Sequence, residues 1–172
     1  MANCSDAYGD MVIKIKGETD EETVSLLHLF KEYWDKVMVK DCSYYAEIFD
    51  WHTEWEDEGL VGYGQFNGCG RWAFEANCRF TYDWLKQSVE RYPELKEDWE
   101  RLNAHDWSVE YFFKDEEGGC EVLYEMDYLV EHYAGEDKAH NTTVSVENYD
   151  YTPENLVKLG FYDNIEDAKG EL

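Results

Sequence analysis

The chain has 172 residues, of which 40 are Asp or Glu and 15 are Lys or Arg, so its formal charge at pH 7 is −25. This charge argues against binding to DNA, RNA or an anionic membrane, and it makes a cationic partner the natural counterpart. Hydrophobic residues make up 44% and aromatic residues 17% of the chain, which is enough apolar surface for one folded domain, so disorder does not explain the acidity.

The first predicted elements are a strand and a helix. Residues 10–16 (DMVIKIK) alternate apolar and polar side chains, and Gly17 ends the run. Thr19 or Asp20 can then cap a helix over about residues 20–37, in which apolar residues recur at helical spacing.

The next part of the chain joins an aromatic segment to an acidic, glycine-rich one. Residues 44–51 (YYAEIFDW) are aromatic and β-rich, which favours a second strand. Residues 52–70 combine an acidic cluster with five glycines, and we expect a mobile connection that delivers a third strand at 71–78 (RWAFEANC). No Gly-Lys-Ser or Gly-Lys-Thr follows the glycines, so a nucleotide-binding loop is disfavoured.

A second helix and a hairpin follow. Thr81 can cap a helix that Pro93 interrupts, and residues 94–102 predict a further turn or short helix. Residues 107–114 (WSVEYFFK) predict a strand, and the turn at 115–119 (DEEGG) leads back into another strand.

That last strand, GCEVLYEMDYLVEHY at 119–133, is the strongest pattern in the chain. At period two it has one apolar face and one acidic face. The apolar face comprises Val122, Tyr124, Met126, Tyr128 and Val130. The acidic face carries Glu121, Glu125, Asp127 and Glu131. Residues 142–151 predict one more strand, and Thr152-Pro153-Glu154 begins a short helix that Gly160 ends.

These elements predict an α+β fold. The first six match the split β-α-β-β-α-β order of a ferredoxin-like antiparallel sheet with its helices on one face, extended by a C-terminal strand and a short helix. We expect a single acidic domain over residues 1–162, followed by a frayed acidic tail at 163–172.

The acidic face has two interpretations. It is either a phosphate-like row for a basic groove that normally follows a nucleic-acid backbone, or the ordinary solvated side of an antiparallel sheet. A general solubility or high-salt adaptation is a third explanation for the acidity. The partner-binding row would be extended by further acids, and by Glu147 and Asp150 if their strand pairs alongside. The further candidate acids are Glu110, Glu116, Glu117, Glu54, Glu56, Asp57 and Glu58.

An enzyme is the alternative from another class. Asp50, His52 and Glu54 could ligate a metal, and Glu54 and Glu56 could share acid and base work. The chain has no H-E-x-x-H or G-x-S-x-G motif and its five histidines are scattered, so we predict no enzymatic activity and no cofactor.

The cysteines indicate a reducing compartment. The chain has five, at positions 4, 42, 69, 78 and 120, without a C-x-x-C pair, and no apolar N-terminal segment resembles a signal peptide. We therefore expect a cytoplasmic protein, and the spacing of Cys69 and Cys78 is wrong for structural zinc.

Several short motifs resemble a known family. The opening Met1-Ala2-Asn3-Cys4 and the strand after it, the Gly-Arg-Trp-Ala-Phe-Glu run at 70–75 and the aromatic hairpin at 107–128 resemble the YubB-type ferredoxin-like proteins of phages and plasmids. That resemblance implies an origin on a mobile element and supplies no catalytic residues. By composition alone, the chain also resembles acidic anti-restriction and anti-CRISPR inhibitors, including the ArdA type.

The sequence thus leads to one hypothesis with two alternatives. The hypothesis is a phage or mobile-element inhibitor of a host defence nuclease, either a CRISPR effector or a restriction enzyme, that occupies a basic nucleic-acid groove through an acidic DNA-mimicking surface. The alternatives are a carboxylate-based metal-binding enzyme around 50–58, and an acidic structural or oligomeric protein with no basic partner.

Overall fold

The structure is a computed structural model that describes residues 4–40, 45–71 and 73–170. Some residues used in the sequence predictions lie outside these ranges: Met1, Ala2, Asn3, Cys42, Tyr44, Trp72 and the last two residues of the predicted tail.

The described residues form six strands and six α-helices. The strands are β1 Cys4–Ile15, β2 Tyr45–Glu56, β3 Gly59–Arg71, β4 Trp107–Glu117, β5 Val122–His132 and β6 His140–Asn148. The helices are α1 Asp20–Lys40, α2 Phe74–Arg79, α3 Thr81–Arg91, α4 Lys96–Asn103, α5 Pro153–Leu159 and α6 Ile165–Lys169. Short 3-10 turns occupy Pro93–Leu95 and Gly118–Cys120.

All six strands join one antiparallel sheet in the order β2-β3-β1-β4-β5-β6. The α+β class and the antiparallel sheet predicted from the sequence are therefore confirmed. The predicted hairpin at 107–128 is also confirmed, because β4 and β5 pair from Trp107↔His132 to Glu117↔Val122. The later strand pairs alongside β5, which leaves β2 and β6 as the two outer strands.

Helices α1 to α4 cover one face of the sheet and enclose the main core. The predicted Thr19 cap is present, because its Oγ1 accepts a hydrogen bond from the Glu22 N–H at 3.2 Å. From there the buried stripe of α1 lies on the sheet, and the indole N–H of Trp34 donates to the Ala46 carbonyl oxygen at 2.9 Å. The ring of Phe30 meets Trp107 edge-on at 5.3 Å between centroids. Aromatic residues of α1 thus contact both β2 and β4.

The prediction of a mobile connection at 52–70 is wrong. Strand β2 continues to Glu56, residues 57–58 turn, and the glycine-rich residues form β3. Its glycines at 62, 64 and 68 lie on the covered face, where large side chains rest directly on the backbone. A Cβ atom at Gly62 would lie 2.0 Å from Trp51. The glycines in this segment therefore accommodate aromatic packing.

The strand predicted at 71–78 is also wrong, because residues from Phe74 onwards form α2. The buried side chain of Asp115 in β4 replaces a local cap: its Oδ2 accepts the Phe74 N–H at 2.7 Å and the Tyr124 hydroxyl at 2.5 Å. Residues Phe74, Asn77 and Cys78 of α2 are buried. A carboxylate about 40 residues away in sequence thus starts this helix.

The C-terminal helices lie on the opposite face of the sheet from α1 to α4. Leu156 and Leu159 of α5 pack with Leu123 of β5 and with Ala168 of α6 in a small second cluster. The prediction that helices occupy one face thus holds for α1 to α4 only. Within the predicted acidic tail, α6 is anchored through Ala168, which is fully buried.

Candidate functional site: the open face of the sheet

The sheet face opposite α1 to α4 is called the open face here. Side chains alternate between the two faces of a strand, so cross-strand partners on this face line up in rows. The central row runs across all six strands and consists of Phe49, Gln65, Asp10, Phe112, Asp127 and Ser145. The adjacent row, nearer the C-terminal helices, consists of Glu47, Asn67, Tyr8, Lys114, Glu125 and Glu147.

Two further rows lie on the other side of the central row. The first consists of His52, Tyr63, Val12, Glu110, Leu129 and Thr142. The second consists of Glu54, Val61, Lys14, Ser108, Glu131 and His140. Together the four rows hold eight carboxylates against two lysines, a formal charge of −6 out of −25 for the whole chain. Most of the acidity lies elsewhere, so charge alone does not distinguish this face.

Two exposed aromatic rings lie among the acids of the open face. Phe112 is 39% exposed and Phe49 is 37% exposed, although both belong to strands. They line a concave region of about 700 Å³, which is also bordered by Asp10, Lys114 and Asp127. An open cavity with an apolar floor and charged walls is typical of a contact site for another molecule.

Two neighbouring carboxylates of the open face, Asp127 and Glu110, have raised pKa values. Partial burial raises the pKa of Asp127, and its Oδ1 is shielded from solvent without a hydrogen-bond partner among the described residues. Burial also raises the pKa of Glu110, and the nearby charge of Asp127 adds to this shift while Lys14 opposes it. A cation placed between these acids would relieve both the burial cost and the mutual repulsion.

One end of the open face is closed by α5. The hydroxyl of Tyr8 and the ammonium of Lys114 both donate to the Leu159 carbonyl oxygen, the latter at 3.2 Å. Lys114 Nζ also lies 3.7 Å from Glu125 Oε1, and the Tyr149 hydroxyl donates to Glu125 Oε2 at 2.5 Å. Burial and the charge of Glu125 raise the pKa of Tyr8. These contacts fix the side chains of the adjacent row next to α5 and leave the central row accessible.

The structure brings most of the predicted row together. Glu125, Asp127 and Glu131 lie on the open face of β5 with Glu110 opposite on β4, and Glu147 of β6 faces Glu125. The apolar face predicted for β5 is confirmed at Tyr124, Met126, Tyr128 and Val130, which are all buried, whereas Val122 is only half-buried.

Four further acids of the prediction lie outside the four rows. Glu121 precedes β5 in a left-handed conformation (φ 54°) and is exposed, so it does not continue the row. Glu117 points into the covered face and is only 3% exposed. Glu116 lies on the open side near α5, where the Tyr151 hydroxyl donates to it. Asp150 follows β6 and is exposed.

The acidic cluster near the β2–β3 turn is divided. Glu54 belongs to the open face, and Glu56 accepts a hydrogen bond from the Tyr63 hydroxyl. Asp57 and Glu58 form the exposed turn at the end of this hairpin. Asp57 and Glu58 are therefore peripheral to the central row.

The suggested metal ligands do not converge. His52 Nδ1 lies 3.4 Å from the Asp50 carbonyl oxygen, and its ring stacks on Tyr63 at 5.5 Å between centroids. No group of three or more His, Cys, Asp or Glu side chains among the described residues is arranged to hold a metal ion.

Sequence reasoning missed Asp10, Glu47, Phe49 and Phe112. Period-two alternation in each strand places these residues opposite the core, but only the strand order brings them into rows. That order depends on β1 lying between β3 and β4, which no local pattern specifies.

Two further results bear on function. Within the described part of the chain, no helix has the length and apolar character that crossing a bilayer requires. Comparison with protein-family models, curated proteins and solved structures found no match.

Proposed function

We propose that this chain is an inhibitor, encoded by a phage or another mobile element, of a host nuclease that targets nucleic acids. The nuclease would be a CRISPR effector or a restriction enzyme, and the open face would occupy its basic nucleic-acid groove. The observation that carries the proposal is the array of eight carboxylates in the four rows of the open face, with exposed aromatic rings between them.

The spacing of the array supports this proposal. Carboxylates two residues apart on one strand are separated by about 6.5–7 Å, and neighbouring strands lie about 4.8 Å apart. A regular negative array of this kind is complementary to Lys and Arg side chains that follow a phosphate backbone. The exposed rings add the contact area that acids alone lack, because aromatic residues contribute much of the binding energy at interfaces.

The proposed fold is a ferredoxin-like unit with an extension. The pairing order β2-β3-β1-β4, with α1 between the first two strands and α2 to α4 before the fourth, supports this assignment. Strands β5 and β6 then widen the sheet and supply much of the acidic face. Relationship to the YubB-type proteins, a cytoplasmic location in the host and the lack of enzymatic activity belong to the same proposal.

The test begins with capture of a partner and ends with an activity. The immobilised chain should recover a nucleic-acid-cleaving enzyme from bacterial lysate, and the purified chain should inhibit cleavage by that enzyme. Inhibition should decline between about 0.1 and 0.5 M salt, because the screening length shrinks as ionic strength rises. Recovery of partners without nucleic-acid activity would refute the proposal and favour an acidic structural protein.

A triple variant tests the site. Glu125→Gln, Asp127→Asn and Glu131→Gln together should abolish inhibition and leave the fold intact, since all three side chains lie on the open face. Glu121→Gln, Asp57→Asn and Glu58→Gln together are the matched control, because these three acids are exposed, lie outside the four rows and remove the same charge. Full inhibition by the triple variant would show that the row is ordinary solvated surface.

A further inference from the structure

The central row and the adjacent row both combine an aromatic ring with acids, but of these two rows only the adjacent one contains a cation. In the neighbouring row, Lys114 Nζ lies 5.7 Å from the centroid of the Tyr8 ring and 3.7 Å from Glu125. A cation, an aromatic face and a carboxylate thus meet within the chain. The central row repeats the aromatic ring and the acids, with Phe112 between Asp10 and Asp127. None of its six members, all of them described, is a cation.

The dimensions of the central row fit a flat cation. Asp10 on β1 and Asp127 on β5 flank Phe112 on β4, so their backbones lie about 10 Å apart across two strand spacings. A planar group resting on the Phe112 ring would have a carboxylate at each edge. Phe49 lies at the far end of the same row and extends the apolar floor.

One carboxylate of this segment has an oxygen without a hydrogen-bond partner. Asp127 Oδ1 is shielded from solvent and has no hydrogen-bond partner among the described residues. The lysines of the four rows do not fill this need, because Lys114 donates to the Leu159 carbonyl oxygen and Lys14 lies two rows away, opposite Ser108. The Asp127 carboxylate therefore keeps hydrogen-bonding capacity that the described residues of the chain do not use.

These features favour arginine over lysine. A guanidinium group is planar, stacks on aromatic rings and donates hydrogen bonds in its own plane toward carboxylates on either side. An ammonium group is compact and strongly hydrated, and it cannot bridge two separated acids while covering a ring.

We propose that the Asp10–Phe112–Asp127 segment of the central row is a subsite for an arginine side chain on an exposed segment of the basic protein partner. This inference rests on the proposed function, and it adds a specific anchor to a surface that otherwise recognises only positive charge. The negative charge of the open face favours a cationic segment as the occupant. The exposed Phe112 ring favours arginine as the side chain that binds there.

Two peptides, nona-arginine and nona-lysine, test the subsite by calorimetric titration of the full chain at constant ionic strength. Nona-arginine should bind about tenfold more tightly, a difference equivalent to about 1.4 kcal/mol. Phe112→Leu, which keeps apolar volume but removes the aromatic face, and Asp127→Asn should each reduce this preference to about twofold or less. Retention of the native melting temperature would establish that both variants fold.

Matched controls separate this result from a general change in charge or hydrophobicity. Phe80→Leu alters another exposed phenylalanine, next to α3, and Asp83→Asn alters an exposed acid on α3. Both should retain the arginine preference. Equal affinity for the two peptides, or a preference unchanged by Phe112→Leu, would overturn the subsite and leave the acidic face as a binding surface. Failure of both peptides to bind would refute the proposed function as well.

Discussion

Gly68 of β3 and Phe74 of α2 are in such close contact that a Cβ atom built on Gly68 would lie 2.2 Å from Cε2 of the Phe74 ring. That ring is buried and stacks on Phe66 at 5.2 Å between centroids, so it has no room to move. Gly68→Ala should therefore lower the free energy of unfolding by about 2–3 kcal/mol through overpacking. Urea denaturation would measure the loss.

The adjacent residue on β3 provides the control for this substitution. Asn67 is exposed on the open face, so Asn67→Ala should change stability by less than about 0.5 kcal/mol. Equal effects at both positions would contradict the packing role assigned to the glycine.

Stability should increase on mild acidification. Burial raises the pKa of Asp115, Asp127 and Glu110 above the ordinary values of these groups, so the folded state binds protons more tightly than the unfolded state. The free energy of unfolding should therefore rise as pH falls from 7 toward the ordinary carboxyl range near pH ~4. Each additional proton held by the folded state contributes a slope of about 1.4 kcal/mol per pH unit.

The buried acid Asp115 allows a direct check of this pH dependence. Asp115→Asn keeps an oxygen that can accept the Phe74 N–H but removes the titrating group. The increase in the free energy of unfolding between pH 7 and pH 5 should therefore be smaller in this variant. Chemical denaturation at several pH values and constant ionic strength would measure it. A protein that loses stability steadily over this range would contradict the electrostatic account of these carboxylates.

Glu125 and Glu147 face each other across β5 and β6 and repel. Glu147→Lys replaces this pair by opposite charges, which should stabilise the fold by about 0.2–1 kcal/mol. The same change should weaken binding to a basic partner, because the open face loses an acid and gains a cation. Thermal unfolding and partner titration on the same preparation would show the two effects in opposite directions.

Glu32→Lys on α1 is the comparison for that variant. Glu32 is exposed on a helix that covers the other face of the sheet, and its replacement changes the net charge by the same amount. If Glu32→Lys weakens partner binding as much as Glu147→Lys, binding depends on total charge and the open face has no special role.

His132 connects two parts of the fold that are distant in sequence. Its ring is buried between Tyr82 and Trp107, with Nε2 3.0 Å from the Asn103 carbonyl oxygen and Nδ1 3.1 Å from that of Lys138. His132→Phe should keep the ring packing but leave these carbonyl groups without their contacts, at a cost of about 1–3 kcal/mol. Thermal unfolding against His28→Gln, an exposed site on α1, would isolate this cost.

The parts of the fold that the sequence predicts well are those with local signals. Strand β5 alternates from Tyr124 onwards, where only one of its faces is buried. Helix α5 carries its own cap, in which Thr152 Oγ1 accepts the Asn155 N–H at 3.3 Å. The start of α1 is equally local. Such patterns need no knowledge of distant residues.

The errors occur where distant residues decide the structure. The glycines of β3 are typical of a loop in the sequence, but in the structure they lie against the side chains of Trp51 and Phe74. Helix α2 begins at the carboxylate of Asp115, which belongs to β4. The central row depends in the same way on which strands become neighbours. Asp10 and Phe112 are about 100 residues apart in sequence, and only the register of β1 with β4 places them side by side.

The two outer strands are unequally protected. Strand β2 carries four acids and an irregularity at Asp50. Strand β6 is exposed from Asn141 to Asn148, has a single acid, Glu147, and also contains an irregularity in its pairing. An outer strand with unpaired main-chain groups and little charge is a template for sheet growth. Near the isoelectric point of about 4.3, where the rest of the molecule no longer repels its copies, β6 is therefore where precipitation should begin.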